Sequence, residues 1–416
     1  MLLPNNKQFT KLVETANAAR HAYNWTIALQ MKYFKETGKY LSDSDARKQF
    51  TQYKQENQWL YNVSNNATKQ AIKDCCNAFW RFVEEKKKSG YKPYSKKQIV
   101  RAAEKNKPLT RYDMQWHPKF KKKGKTELKF YTDTEKTKFR GTHVKLENIA
   151  DSKKKNKQQI NWLRLAETDK IPTNRLNEVP KYINPRVKFD GIHWWISVGV
   201  ESEPNNQGLS EDIIGIDVGV KDLAILSDDE QTKHKNINKT ENVRKLKKKQ
   251  RRLQRKVSRK YEVLYKYQKN KKGENYCKTS NIIKTEKQLL EINQRLTGIR
   301  HNHVHYATSE IMKQKPRRIV LEDLNIQGMM KNKHLSKAIQ EQCLYEFARQ
   351  IEYKCAWNGI EFVRADRYYP SSKKCIVCGE IKKDLKLKDR TYKCNHCGNE
   401  IDRDYQAALN LARYTV

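Results

Sequence analysis

Two Cys-x-x-Cys-Gly units, Cys375-Ile376-Val377-Cys378-Gly379 and Cys394-Asn395-His396-Cys397-Gly398, restrict this chain more than any other feature. Fifteen residues, 379–393, separate the inner cysteines. At this spacing four thiolates close a tetrahedral structural Zn2+ site that leaves no position for water. The glycine after each pair lets the backbone turn so that amides approach the sulfurs. A redox role would suit either pair alone, but two pairs together point to metal. His396 is then exposed or packed behind the thiolates, since the cysteines fill the site. Cys75, Cys76, Cys277, Cys343 and Cys355 have no partner at ligand spacing and are expected as packed or free thiols.

Three acids carry the candidate chemistry. In Ile213-Ile214-Gly215-Ile216-Asp217-Val218-Gly219 an apolar strand places Asp217 in its middle, with a glycine where the chain bends. Arg318-Ile319-Val320-Leu321-Glu322-Asp323-Leu324 repeats the arrangement with Glu322 at the strand end. Side chains alternate across a strand, so Glu322 and Asp323 cannot both face one site. The third acid comes from Asp402-Arg403-Asp404-Tyr405-Gln406-Ala407-Ala408, where a helix is expected to start just after Asp404. Hard oxygen ligands from three distant segments suit Mg2+ or Mn2+, and a pair of such ions can stabilise both attacking and leaving oxygens in phosphodiester hydrolysis. Their order, Asp then Glu then Asp, suits a ribonuclease-H-like sheet. A carboxylate pair of the glycosidase kind is the competing chemistry, and the basic surroundings argue against it.

Those surroundings are extreme. With 87 Lys and Arg against 47 Asp and Glu, the net charge is +40, an excess that nucleic acid would neutralise. The 8 Trp, 22 Tyr and 11 Phe offer ring faces for base stacking between the basic runs, which a merely solubilised surface does not require. No run approaches the roughly 18 apolar residues of a membrane helix, and no signal-peptide pattern opens the chain. A soluble, cytoplasmic protein acting at the nucleoid is expected.

At 416 residues the chain should divide into two or three domains. Residues 9–90 carry helical stripes, Leu12, Ala16, Ala19 and Tyr23, then Ala67, Ala71, Cys75, Phe79 and Phe82 after Ser64 and Asn65, and predict a bundle of about three helices. Residues 91–206 read as a β region broken by basic loops, with a tight hairpin turn at Asp190-Gly191 between Val187-Phe189 and Trp194, Ile196, Val198 and Val200. Gly124-Lys125-Thr126 lacks the upstream glycine of a phosphate-binding loop. Glu201–Ser210, with Pro204 and Gly208, reads as a linker. Val243, Leu246, Leu253, Val257 and Leu264, followed by Leu289, Leu290, Leu296 and Ile299, predict an antiparallel helical hairpin with a basic outer face. Lys69, Gln70, Lys73, Lys121, Lys122, Lys123, Arg251, Arg252 and Arg255 are the candidate nucleic-acid contacts. His301, His303 and His305, two apart on a helix, do not share a face and form no site.

Taken together the pieces AARHAYNW, GIDVGVKDLAILSD, VLEDLNIQGMMKN, SSKKCIVCG, DRTYKCNHCG and DRDYQAALNLARY resemble the TnpB family and its relatives, the miniature type V CRISPR effectors, over nearly the whole chain. The resemblance implies a multidomain α/β protein with an RNase-H-like (RuvC) nuclease domain, an inserted zinc ribbon, a β-barrel-like wedge domain and an N-terminal helical recognition bundle. The implied layout is wedge at 1–6 and 96–209, recognition lobe at 7–95, RuvC pieces at 210–372 and 401–416, and the four-cysteine zinc ribbon at 373–400. By motif position Asp217, Glu322 and Asp404 look like the catalytic, magnesium-binding acids, and Cys375, Cys378, Cys394 and Cys397 like the zinc ligands. Asp404 takes the role over Asp402, lying two residues before the position where the family has asparagine and this chain has Gln406. The opening Met1-Leu2-Leu3-Pro4 leaves little of the family's first strand.

The resemblance further implies guide RNA from a transposon end as partner, recognition of a short adjacent DNA motif, and cleavage of double-stranded DNA after guide pairing. Sequence reading is then delegated to base pairing, and the near-balanced exchange of duplexes needs no ATP. A guide-dependent repressor should have lost acids that this chain keeps. A DDE-type transposase would run Asp, Asp, Glu, and a plain zinc-ribbon binder would leave the acid-bearing strands unexplained.

Overall fold

The computed structural model describes residues 1–147, 161–167, 182–201, 203, 208–269, 278–386 and 389–415. The chain is a multidomain α/β protein that divides into two compact units, residues 1–202 and 203–416. Cys277 and Pro204 lie outside the described residues.

Unit 1 opens with β1 (Leu2–Leu3) and then α1 (Asn6–Thr37), α2 (Asp43–Glu56) and α3 (Asn65–Lys87). The helix starts follow from their caps. Asn5 accepts from the Gln8 amide and Gln8 reaches back to Asn5, and Ser64 accepts from the Ala67 amide. Gly38, at φ +70°, ends α1. The stripes anticipated on α1 and α3 are buried: Leu12, Ala16, Ala19, Ala67 and Ala71 pack in one core with Phe130, Leu163, Val187 and Trp194. Each fully buried large apolar side chain of such a core contributes about 1.5–3 kcal/mol.

The sheet of unit 1 contains β2 (Leu128–Tyr131), β3 (Lys138–Arg140), β4 (His143–Lys145), β5 (Trp162–Leu165), β6 (Ile183–Phe189) and β7 (Trp194–Gly199). Its order is β2-β6-β7-β1-β5-β4-β3. Short as it is, Leu2–Leu3 sits in the middle, Leu2 pairing with both Leu165 and Trp194. Two local expectations change. A helix, α4 (Lys96–Glu104), interrupts the region read as β. It is set by a Ser95–Gln98 capping box, and none of its residues is buried, Ile99 and Val100 standing exposed. The hairpin turn spans four residues, because Phe189 pairs directly with Trp194. The Asp190 carboxylate accepts from the Ile192 and His193 amides and from the Trp195 indole, which stabilises this longer loop.

Unit 2 is built on a five-stranded sheet of order β10-β9-β8-β11-β12. Its strands are β8 (Ile213–Val218), β9 (Asp222–Leu226), β10 (Lys233–Lys235), β11 (Arg318–Glu322) and β12 (Glu361–Ala365). The first three run as an antiparallel meander, and β11 lies parallel to both β8 and β12. On one face Ile214, Ile216, Ile319 and Leu321 pack against Val304, Ala307 and Ile311 of the helix Ser280–Lys313 and Phe347 and Ile351 of the helix Leu344–Asn358. The opposite face is covered by the C-terminal helix Arg403–Ala412 through Val320, Ala365 and Leu411.

The helix Glu241–Lys269 pairs antiparallel with Ser280–Lys313. Val243, Leu246 and Leu253 meet Ile292, Leu296 and Ile299, and Gln250 donates to Asn293 at 2.7 Å. Ile292 replaces the expected Leu289 and Leu290 at the buried centre of this seam. No helix among the described residues is long and apolar enough to cross a membrane.

Gly215 governs how closely the C-terminal helix approaches β8. A Cβ there would collide with the Ala408 carbonyl oxygen and the Ala412 amide, and lie 2.9 Å from Leu411 Cβ. Gly215→Ala should therefore destabilise unit 2 by about 1–3 kcal/mol or more. Gly298→Ala, in a helix interior where an added Cβ meets nothing within 4 Å, should instead stabilise by up to about 1 kcal/mol. Opposite shifts in thermal unfolding are the expected result; equal ones would contradict this packing.

Candidate active site and metal centre

Strand alternation and one helix bring the three acids together. Asp217 lies two residues beyond Gly215 and Glu322 two beyond Val320, so both belong to the sheet face that the C-terminal helix covers. Leu321 pairs with Ile216, and the next step along the parallel strands places Glu322 beside Asp217. Asp404, in the first turn of the helix, completes the group. Asp217, Glu322 and Asp404 line one cleft of about 400 Å³ together with Lys221, Arg390 and Arg403.

Burial, reinforced by the carboxylates of Glu322 and Asp404, pushes the Asp217 carboxyl well above its usual range. Burial, with Asp323 next to it, also raises Glu322. Asp404 is differently placed. Its Oδ1 accepts from Arg403 at 2.9 Å and 3.2 Å, and Arg390 stands 3.7 Å from Oδ2. These two arginines were not singled out by sequence reasoning, although both flank the ribbon's last strands.

Asp402 does separate work. It is the N-cap of the helix, accepting from the amides of Asp404 and Tyr405, so the helix begins at Arg403, earlier than expected. Burial opposes its ionisation, but the Tyr405 amide and Lys233 hold its carboxyl below the usual value. Asp323 turns away to Arg367 at 2.5 Å. Gln406 is fully buried, and neither its amide nitrogen nor its oxygen has a hydrogen-bond partner.

The four cysteines form a second centre. Cys375 and Cys397 approach to 3.6 Å between sulfurs, as do Cys378 and Cys394, and all four sulfurs lie within 4.8 Å of one another. Gly379 and Gly398 take φ of +79° and +72°, the left-handed turn that folds each knuckle around its sulfurs. The amides of Cys397 and His396 help hold the Cys394 thiol at about 6, against the opposing effect of burial. Such a set could hold a tetrahedral metal ion.

Among the described residues it is also the only His, Cys, Asp and Glu cluster that tight. The three acids share a cleft without closing to that distance, and Asp404 is engaged by Arg403 with Arg390 close by. His301, His303 and His305 form no such group; His303 instead meets the Lys235 carbonyl.

The ribbon is tied to the acids by covalent chain and hydrogen bonds. The antiparallel pair β13 (Thr391–Lys393) and β14 (Glu400–Asp402) runs from the second knuckle directly into the Asp402 cap. Asn410 donates to the carbonyls of Ser371 and Lys374 at 2.7 Å and 2.6 Å, fastening the helix to the entry of the first knuckle.

The candidate basic contacts fall into two groups. Lys69, Lys73, Lys122, Lys123, Arg251, Arg252 and Arg255 are exposed. Lys121 and Gln70 are committed internally: the Lys121 ammonium lies 3.3 Å from the Tyr23 ring centroid, burial lowers it to about 8, and Gln70 donates to Asp74.

A family model for the Cas12f1-like TNB domain matches residues 345–411, and one for a helix-turn-helix domain of the OrfB_IS605 type matches residues 1–39. A Streptomyces pristinaespiralis protein named as an RNA-guided DNA endonuclease is 31% identical over 218 residues, 52% of this chain and 49% of that protein. The chain thus matches about half the length of that relative. InsQ of Escherichia coli K12, named likewise, is 24% identical over 99% of this chain and 90% of its own length.

The Cas12f1 of Sulfoacidibacillus thermotolerans, a CRISPR-associated endodeoxyribonuclease, is 31% identical over 27% of the chain and 25% of that protein. Among solved structures, a Cas12f1 bound to its guide RNA and target DNA shares the fold, with a TM-score of 0.52 and 13% identity over 98% of this chain and 82% of that one. In motifs, family segments and fold, the chain is similar to the TnpB-like and Cas12f1 proteins, as its sequence implied.

Proposed function

We propose that this chain is an RNA-guided, metal-dependent DNA endonuclease of a transposon, cutting double-stranded DNA beside a short adjacent motif by phosphodiester hydrolysis in the bacterial cytoplasm. The observation that carries this reading is the convergence of Asp217, Glu322 and Asp404 on one cleft from segments far apart in sequence. In this reading unit 2 is an RNase-H-like RuvC nuclease with an inserted zinc ribbon. The helices of residues 7–95 serve as the recognition lobe, and the strands from 1–6 and 96–209 as the wedge.

The donor chemistry fits two different metals. Asp217, Glu322 and Asp404 would hold Mg2+ or Mn2+, for which carboxylate oxygens are suited ligands. An acid as reluctant to ionise as Asp217 gains most from a cation beside it. When bound, such ions activate water and stabilise charge on the phosphate. The cysteines would hold Zn2+ in a structural role, fixing the hairpin that ends at Asp402.

The chain's own residues supply the rest. Arg403 and Arg390 orient Asp404 at the edge of the cleft, and Lys221 adds positive charge to its lining, matching a phosphodiester backbone. Asp402 fixes the helix start, so that Asp404 is delivered at a defined height. Exposed Lys122, Lys123, Arg251, Arg252 and Arg255 offer phosphate contacts that position nucleic acid without reading its sequence.

Asp217→Asn or Glu322→Ala should abolish Mg2+-dependent cleavage of a plasmid carrying the guide's target, while guide RNA and DNA binding stay within about twofold. Full cutting by either variant would remove the catalytic assignment. Binding without any cutting by the wild type would favour a guide-dependent repressor. Without divalent metal at neutral pH, Asp217→Asn should melt no lower than wild type. Its amide relieves the crowding of buried like charges. Cys378→Ser should release zinc, read by elemental analysis as a fall from one equivalent per chain towards none; unchanged zinc content would count against the four-thiolate site.

A further inference from the structure

The helix Leu344–Asn358 presents an outer face that neither the acid cleft nor the sheet uses. Tyr345, Arg349, Tyr353 and Trp357 stand four residues apart on it, so they form one row along the axis. As residues, Tyr345 and Trp357 are 70% and 57% exposed. Arg349 lies 5.3 Å from the Tyr353 ring centroid, and Tyr353 and Trp357 are 4.6 Å apart. Glu346 grips Arg349 through two hydrogen bonds, at 2.7 Å and 2.9 Å, and so fixes the plane of the guanidinium. The row is about 18 Å long at the helical rise.

Both ends of the row open into cavities. At the Tyr345 end a cavity of about 410 Å³ is lined by Tyr345, Arg349, Arg364, Arg367 and Glu322. Glu322 lines the acid cleft as well, so the row leads directly to the candidate chemistry. At the other end Trp357 borders a cavity of about 390 Å³ with Lys313, Lys315 and Lys354. Nearby acids are largely neutralised within the protein: Glu346 by Arg349, Glu352 by Arg364, Asp323 by Arg367 and Glu310 by Lys313. Lys354 is held by the hydroxyls of Thr308 and Ser309 rather than by an acid.

We propose that the row Tyr345, Arg349, Tyr353 and Trp357 is a base-stacking rail for the single DNA strand being cut, guiding it along the helix to Glu322. This rests on the nuclease reading above. Rings and a planar guanidinium spaced along a helix, with cations at the far end, suit unpaired bases, whose faces are accessible; the stacked interior of a duplex offers no such faces. A rail of this kind selects single strands and tolerates any sequence.

The test uses the full chain with its guide RNA, carrying Tyr345→Ala, Trp357→Ala or both. Binding of a labelled mixed-sequence single-stranded oligodeoxynucleotide should weaken about five- to a hundredfold per ring lost. Affinity for a blunt duplex should change less than twofold. Tyr345→Phe and Trp357→Phe, which keep a ring, should bind nearly as wild type. In cleavage of a single-stranded oligodeoxynucleotide that carries the guide's target, the alanine variants should raise KM with kcat largely retained.

Unchanged strand affinity in the double variant would overturn the rail, and so would equal loss for duplex and single strand. A changed oligomeric state with unchanged strand affinity would assign the face to a second copy of the chain and also overturn it. Wild-type cutting alongside any of these results would leave the nuclease reading standing. Selective strand binding by a wild type that never cuts would sink that reading and keep the rail.

Discussion

The close approach of the C-terminal helix to β8 at Gly215 is the constraint on which the rest of unit 2 depends. A strand face can hold Asp217 and Glu322 side by side, because parallel neighbours in register present equivalent positions together. The third acid must arrive from the last residues of the chain, and only a helix pressed backbone-to-backbone on the sheet brings Asp404 near enough. Any side chain at position 215 would lift that helix.

Holding three carboxylates in one half-buried cleft costs free energy, and the surroundings distribute that cost unevenly. Asp217 bears it as resistance to ionisation, while Asp404 accepts hydrogen bonds from Arg403 and has Arg390 close by. The ribbon contributes by covalent connection: a hairpin closed by four thiols ends at the residue that caps the helix. A metal far from the acids in chemical role would thereby fix the position of one of them. Gln406, buried with both polar atoms unpartnered, marks the place where this packing is least satisfied.

Patterns that depend on near neighbours in the chain were legible beforehand. The stripes on α1 and α3, the paired knuckles with their left-handed glycines, and the two acid-bearing strands each follow from spacing alone. α4 escaped because its one clear start signal, Ser95 with Gln98 three residues on, lies inside a region whose basic loops read as strand connections, and none of its residues is buried. The Asp190 loop escaped because a side chain competing for backbone amides outweighed the turn preference of Asp-Gly.

What the sequence determined by itself was therefore the set of local pieces and the residues able to carry chemistry: four thiols at metal spacing, three acids on apolar segments, and a large positive charge. Only the tertiary structure decided which of these are free to act. It turned Lys121 inward over Tyr23, turned Asp323 away to Arg367, made Asp402 a helix cap, and placed Arg390 and Arg403 on Asp404. The physical reason is range: periodicity and capping act within a few residues, whereas the partner of a charge is set by which distant segment the packed core brings beside it.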